Sequence, residues 1–214
     1  MRKVSYLLLI LAIISCHHPV FRSKWIKETA PEHFTVFFET SKGNFETEFI
    51  REWSPLAVDR LYAQIKHGYY NHTLFYRVSP NYVAQFGGDD SVKIKKWAKY
   101  IIPDEPVIRS NERGTIGFAR GGKETRGNDI FINLRNNSPR LDTISPGGIK
   151  GYPVIGIVTK DMQVVDSLYS GYGDSVFAKY DTLLQNKMYF IESFPKLDSV
   201  KRIFFIKGTK KSKK

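Results

Sequence analysis

Cys16 is the only cysteine in the 214-residue chain, so no internal disulfide can brace the fold and stability must come from a packed core. Carboxylates are also sparse. Against 33 lysines and arginines stand 21 acidic residues, leaving a formal charge of +12. Long apolar runs are missing too: the run over residues 4–14 is too short for a comfortable transmembrane helix. His33, His67 and His72 show no ligand spacing, and His17-His18 beside Cys16 lie in a stretch without periodicity, so no metal site is implied. Gly121-Gly122 and Gly147-Gly148 lack the strand-to-helix context of a phosphate loop and read as turns. Asp89-Asp90, adjacent acids after two glycines, read as solvated. Nor does the basic excess describe a nucleic-acid surface, because five of the charges cluster in the tail 207–214 without interleaved aromatics.

What is present is enough apolar and aromatic residue, 42% and 14%, to fill the core of one domain. Phe34, Val36 and Phe38 alternate with Thr35, Phe37 and Glu39, which predicts a strand. Lys42-Gly43-Asn44 supplies a turn, and residues 45–50 complete a hairpin. Ser54 followed by Pro55 predicts a helix start, with Ser54 as N-cap. Val58, Leu61, Tyr62 and Ile65 recur at helical spacing, and Gly68 stops the run. Short apolar runs at 74–78, 82–86, 116–119, 130–134, 154–158 and 200–206 read as strands, and a weaker helical pattern covers 181–190. Many short strands with few helices predict a barrel or a sandwich; the pattern does not choose between them. No internal repeat or second domain is visible.

Phe75-Tyr76-Arg77-Val78-Ser79-Pro80-Asn81-Tyr82-Val83-Ala84-Gln85-Phe86-Gly87-Gly88-Asp89 is the most informative segment. It resembles the catalytic segment of the cyclophilin-type peptidyl-prolyl isomerases. Further segments resemble that family in the same order: Ile116-Gly117-Phe118-Ala119-Arg120, Thr125 to Asn133, Leu141-Asp142, Pro153 to Val158, and Asp161 to Asp166. The resemblance runs from about Phe34 to about Phe205. It implies a mostly β fold, an eight-stranded antiparallel closed barrel capped by two helices, over residues 34–206. It also implies acceleration of X-Pro bond rotation with no cofactor, on Pro-containing segments of unfolded or flexible proteins.

That chemistry has plain physical demands. Peptide rotation faces a barrier of ~18–20 kcal/mol because it destroys amide resonance, and no bond is broken. An apolar pocket that holds the proline ring and excludes water favours the twisted amide. A cationic donor favours it by hydrogen-bonding the prolyl nitrogen's lone pair. By resemblance, Arg77 is the donor and Gln85 orients it. Tyr82, Val83, Phe131 and Leu141 match the proline pocket, with Tyr152 near the place of a family histidine. Ala119 and Arg120 match the strand edge that pairs with substrate backbone. Four departures stand out. Arg140 replaces a frequent tryptophan, Phe86 is an added residue expected to bulge its strand, Tyr152 replaces the histidine, and Asp129 replaces glutamine. A carboxylate at Asp129 is expected either to capture Arg77 or to pair with Arg120 or Arg126. Asp129 and Arg140 also leave open a catalytically weak binding module, a chaperone or scaffold for Pro-containing segments.

Arg2 and Lys3, the apolar run 4–14 and the pair Ser15-Cys16 resemble a bacterial lipoprotein signal, residues 1–15, cleaved before a lipidated Cys16. Two or more acyl chains anchor firmly. Residues 16–33, polar and proline-punctuated, then read as a tether reaching about 20–25 Å if flexible, with Trp25 and Ile26 able to dock. The expectation is a monomeric domain held at the inner or outer membrane of a bacterial envelope, and a basic tail, 207–214, that is solvated or drawn to anionic lipid.

Overall fold

The computed structural model describes residues 20–206. Cys16, the leader expected before it and the basic tail 207–214 lie outside the described residues. In β1 (His33–Thr40) and β2 (Gly43–Ile50) every second side chain is buried, as strand geometry requires when one face meets a core. The two strands pair from His33↔Ile50 to Thr40↔Gly43, so the tight turn falls at Ser41-Lys42. Six more strands follow: β3 (Arg77–Ser79), β4 (Val83–Phe86), β5 (Thr115–Phe118), β6 (Ile130–Asn133), β7 (Val154–Lys160) and β8 (Val200–Phe205). All eight form one antiparallel sheet in the order β3-β4-β6-β5-β7-β2-β1-β8. It curls around a core that includes Phe34, Phe38, Phe45, Phe49, Phe86 and Ile116.

The expected closed barrel is not made. β3 and β8 are the sheet edges and do not pair along their lengths. One bridge, Leu74 opposite Ser199, joins the chain just before each of them. Phe75 N donates to Asp198 O at 2.8 Å and Val200 N to Thr73 O at 2.8 Å beside it. β3 is only three residues long and is followed by Pro80, which has no N–H to extend a ladder. The architecture is a curled half-barrel.

The helical expectations need three corrections. The described residues form α1 (Pro55–Lys66), α2 (Ser91–Ala98), α3 (Arg140–Thr143), α4 (Met162–Asp166), α5 (Tyr180–Gln185) and α6 (Lys187–Ser193), not two helices. Ser54 does not cap α1. Its hydroxyl donates to Glu105, whose carboxylate accepts from Leu56 N at 2.8 Å and Ala57 N at 3.2 Å. The helix N-terminus is thus capped by a carboxylate from a distant loop, which sequence proximity cannot show. The expected stop is found: Gly68 adopts φ 68°, and Tyr69 N donates to Gln64 O at 2.9 Å. Asp89-Asp90 is not a solvated pair. Asp90 caps α2 by accepting from Val92 N at 2.9 Å and Lys93 N at 3.1 Å. Asp89 is buried, accepts from Leu74 N at 3.2 Å and pairs with Lys187 at 2.6 Å. Burial still pushes its carboxyl above the usual value.

The helix expected over 181–190 is broken at Asn186, whose side chain accepts from Tyr189 N at 3.1 Å and restarts the chain as α6. Val176, Leu183 and Phe190 pack with Leu74 and Tyr76 in a second apolar cluster. That cluster fixes the 3₁₀ turn Gly173–Lys179 beside β3. The expected tether is also corrected: from residue 20 onward it is docked. Trp25, in the 3₁₀ turn Ser23–Lys27, is buried and stacks on His67 at 3.7 Å between ring centres. Glu28 pairs with Lys66 at 3.2 Å and His67 at 3.0 Å. Burying a large aromatic side chain stabilises by roughly 2–3 kcal/mol, which offsets part of the entropy of ordering the segment; the ion pairs of Glu28 and the packing of Phe21 on Trp97 add to it.

Candidate active site

One row of cross-strand partners builds the site. Arg77 on β3 faces Gln85 on β4, Gln85 faces Phe131 on β6, and Phe131 faces Gly117 on β5. These side chains share the face opposite the core, while Val78, Ala84, Phe86, Ile130, Ile132, Ile116 and Phe118 point into it. Gly117 is required here. A Cβ on it would lie 2.9 Å from Phe131 Cζ, so the missing side chain lets the Phe131 ring lie across β5. Phe86, expected to bulge β4, leaves the pairing unbroken from Val83↔Asn133 to Phe86↔Ile130. It is accommodated as core, edge-on to Phe38 and against Phe75.

The row opens into a groove of about 400 Å³, and all ten residues expected at the site line it. Val83, Phe131 and Leu141 are buried together at one end, with Tyr82, Ala119 and Tyr152 around them. Tyr152 meets Phe131 edge to face, with ring centres 5.7 Å apart. Arg77 lies beyond. Its Nη1 donates to Gln85 Oε1 at 3.2 Å, and its guanidinium stands 5.6 Å from the centre of Tyr82. Arg140 stands 5.3 Å from the same ring, so a second planar cation occupies part of the space where a tryptophan was expected.

Leu141 and the two tyrosines are held from beneath by polar groups. Asp142 Oδ1 accepts from Asn111 N and Nδ2, each at 2.8 Å, and Oδ2 accepts from Ser138 Oγ at 2.6 Å. Asn111 Nδ2 also reaches Tyr152 O at 2.9 Å, and Asn137 Nδ2 donates to Tyr82 O at 2.9 Å. Burial alone would push the Asp142 carboxyl up. The donors Ser138 and Asn111 outweigh it and hold the group below the usual carboxylate value. Asp142 thus sets the short turn that presents Leu141.

One expectation fails, at Asp129. The Arg120 side chain, on which no expectation of substrate contact rested, is not presented to a substrate strand. It is buried, pairs with Asp104 at 3.0 Å and donates to the carbonyls of Ile149 and Gly151. Ala119 N donates to Asp129 O at 2.9 Å, which continues the β5–β6 pairing one residue past β5. Asp129 does not capture Arg77, nor does it pair with Arg120 or Arg126. Arg126 pairs with Glu105 at 2.8 Å, and among the described residues no cation lies within 4 Å of the Asp129 carboxylate. Asp129 Oδ1 accepts from Gly88 N at 3.0 Å at the base of the groove. Burial, with the Asp89 charge adding to it, pushes its carboxyl up to about 7.

The carboxylate on Arg77 comes from elsewhere. Asp174 Oδ1 accepts from Arg77 Nε at 2.8 Å, and Phe177 lies 5.0 Å from the guanidinium. Tyr76 and Tyr180, with ring centres 5.3 Å apart, complete that wall. None of these was singled out from sequence. Asp174 lies 97 residues from Arg77 and belongs to no local motif, so only the packing of the 3₁₀ turn on β3 brings them together.

Asp129 makes the stability of the domain depend on pH. Unfolded, it titrates near 3.8; folded, near 7. Between those values the folded chain keeps a proton that the unfolded chain has lost, so stability falls as pH rises from about 4 to about 7 and this contribution is flat above. Asp129→Asn keeps an oxygen for Gly88 N–H and removes the charge. Its melting temperature should match wild type near pH 4, exceed it increasingly toward pH 7, and stay above it at pH 8. Thermal unfolding curves that differ by a pH-independent amount would contradict this.

Comparison with known proteins agrees with the groove. The family description "Cyclophilin type peptidyl-prolyl cis-trans isomerase/CLD" matches residues 35–187. A peptidyl-prolyl cis-trans isomerase of Acinetobacter baylyi is 32% identical over 139 residues, covering 62% of this chain and 70% of that one. A peptidyl-prolyl cis-trans isomerase A of Dickeya dadantii is 34% identical over 136 residues, with the same coverage of 62% and 70%. The crystal structure of a cyclophilin type isomerase from Cryptosporidium parvum shares the fold, with a TM-score of 0.57 at 17% identity over 82% of this chain and 99% of that one. An apolar pocket beside an oriented arginine is what X-Pro rotation requires, and the chain belongs to the cyclophilin-type peptidyl-prolyl cis-trans isomerases.

Proposed function

We propose that this isomerase acts on Pro-containing segments of exported proteins at an envelope membrane of a bacterium, anchored through Cys16 and working as a monomer. Arg77 is its catalytic donor. The observation that carries the assignment is the pairing of Arg77 Nη1 with Gln85 Oε1 at 3.2 Å, beside the pocket of Val83, Phe131 and Leu141. The proline ring enters that pocket, where water is excluded and the charge-separated resonance form of the amide loses its solvation. As the C–N bond twists, the nitrogen becomes pyramidal and gains a lone pair. The Arg77 guanidinium, with donors left over after Gln85 and Asp174, hydrogen-bonds it. One charge-assisted bond contributes roughly 1.5–3 kcal/mol, so pocket and backbone positioning supply the rest.

Cys16 and the run before it support the anchor by their resemblance to a lipoprotein signal. Among the described residues no helix is long and apolar enough to cross a membrane. An exported, membrane-held isomerase meets client chains that are still flexible, where slow prolyl isomers delay folding.

Arg77→Ala should lower kcat/KM by at least about tenfold, the effect of ~1.4 kcal/mol, in a protease-coupled proline-isomerisation assay, with little change in melting temperature. Arg77→Lys should fail similarly, because a point charge on a flexible stem does not reproduce the planar fork. Equal activity of wild type and Arg77→Ala would leave the groove as a binding site for Pro-containing segments and favour the chaperone reading.

Asp174 trims the donor. Its side chain is 59% exposed, so its pull on Arg77 is screened. Asp174→Asn keeps an oxygen for Arg77 Nε–H and removes the negative charge, and should raise kcat/KM by up to about fivefold at low salt, the ceiling for an exposed ion pair. The gain should shrink as ionic strength rises. A loss of activity in the variant would mean that the charge of Asp174 orients Arg77 more than it competes for it.

A further inference from the structure

The groove lies on one face of the domain, and a different surface carries an unexplained concentration of charge. On α2, Val92, Lys95, Lys96 and Lys99 fall at positions i, i+3, i+4 and i+7, one stripe of a helix whose other side buries Trp97. Beside it the 3₁₀ turn Ser23–Lys27 carries exposed Lys24 and Lys27, preceded by exposed Arg22. The two segments are in contact. Val20, Phe21 and Trp25 line a shallow groove with Val92, Lys93 and Lys96, and Phe21 packs edge-on to Trp97 at 5.1 Å between ring centres.

The charge of this surface is left unbalanced. Among the described residues none of these lysines, nor Arg22, has a carboxylate within 4 Å. The acids nearby are already engaged: Asp90 caps α2, and Glu28 turns to Lys66 and His67. Apolar side chains stand among the cations, with Val20 75% and Val92 58% exposed. The position of this surface along the chain identifies its occupant. Residues 1–19, with the apolar run 4–14 and Cys16, join the described structure at Val20, so an anchor at Cys16 is only four residues along the chain from this face.

The geometry points to a membrane-docking surface formed by the outward stripe of α2 and the 3₁₀ turn Ser23–Lys27, which takes the anionic head groups of a lipid bilayer. It rests on the proposed membrane association and adds an orientation to it. Lysines at a bilayer surface are drawn by its negative potential, and short apolar side chains between them enter the head-group layer. Docked this way, the domain lies down on its α2 face and does not swing on a tether. Two facts act together here: the ordering of residues 20–33 on the domain removes slack, and the basic stripe sits at the point of attachment.

The full chain, purified from membranes in detergent, can be mixed with vesicles of phosphatidylcholine alone or of phosphatidylcholine with one quarter phosphatidylglycerol. Partition onto the zwitterionic vesicles reports the anchor; the further gain from the anionic lipid reports the face. Wild type should bind the anionic vesicles at least about tenfold more tightly, a gain that salt abolishes. Hydrogen exchange should slow only over residues 20–27 and 91–99. The variant Lys24→Glu/Lys95→Glu/Lys99→Glu should lose the gain and the protection, while its isomerase activity in solution stays at the wild-type level and so verifies its fold. An anionic-lipid gain that persists undiminished in the variant would place the attraction in the basic tail 207–214 and overturn the proposal. Protection of 91–99 without lipid, increasing with protein concentration, would make the face an interface between copies and overturn it equally.

Discussion

Arg77, Gln85, Phe131 and Gly117 lie in one row across four antiparallel strands, and the working face of the domain depends on that register. Side chains alternate between faces with period two, so a slip of one residue in β4 would turn Gln85 into the core and bring Phe86 out. The hydrophobic set prevents it. Ala84 and Phe86 share a buried face with Ile130, Ile132, Ile116 and Phe118, and the slip would take Phe86 out of that face and put the polar Gln85 into it. The core therefore stabilises the site indirectly. It holds the cation, its orienting amide and the pocket floor on one side of a sheet whose other side cannot be moved without large cost.

Polar groups then set the site's finer geometry. Asp142 and Asn111 present Leu141 and Tyr152, Gly117 makes room for Phe131, and Arg120 ties Gly151 and Ile149 to Asp104 behind the pocket. The three arginines weighed as partners of Asp129 thus divide into different roles. Arg77 faces the groove, Arg120 is buried as a brace, and Arg126 links Glu105 to the α1 N-terminus. Arg120 and Arg126 are immobilised by several acceptors each, which is how a buried guanidinium is tolerated. Arg77 keeps donors to spare.

Much of this was legible in the sequence, and the failures share a physical cause. Alternating residues disclosed β1 and β2, helical spacing disclosed α1, and motif order located the ten groove residues, because these signals are local. What escaped is long-range. Glu105 replaces Ser54 as the cap of α1, and Asp174 replaces Asp129 as the partner of Arg77. Trp25 docks on the domain, one of the two places open to it, and brings the expected tether with it. The α2 helix is not legible because it is only eight residues long and buries a single side chain, Trp97. Barrel closure, expected from the family resemblance, is not made, and the strand pattern alone carries no signal for whether the outermost two strands pair.

The central claim is that the groove lowers the barrier to X-Pro rotation and does not merely hold the proline. Exchange NMR on a short Ala-Pro peptide with a small fraction of this protein tests it directly. Uncatalysed interconversion takes tens of seconds or more, too slow for cis–trans cross-peaks at sub-second mixing times. The account predicts that such cross-peaks appear with wild type at a protein-to-peptide ratio far below one, with the cis and trans populations unchanged. Peptide resonances that shift on binding while the cross-peaks stay absent would contradict it.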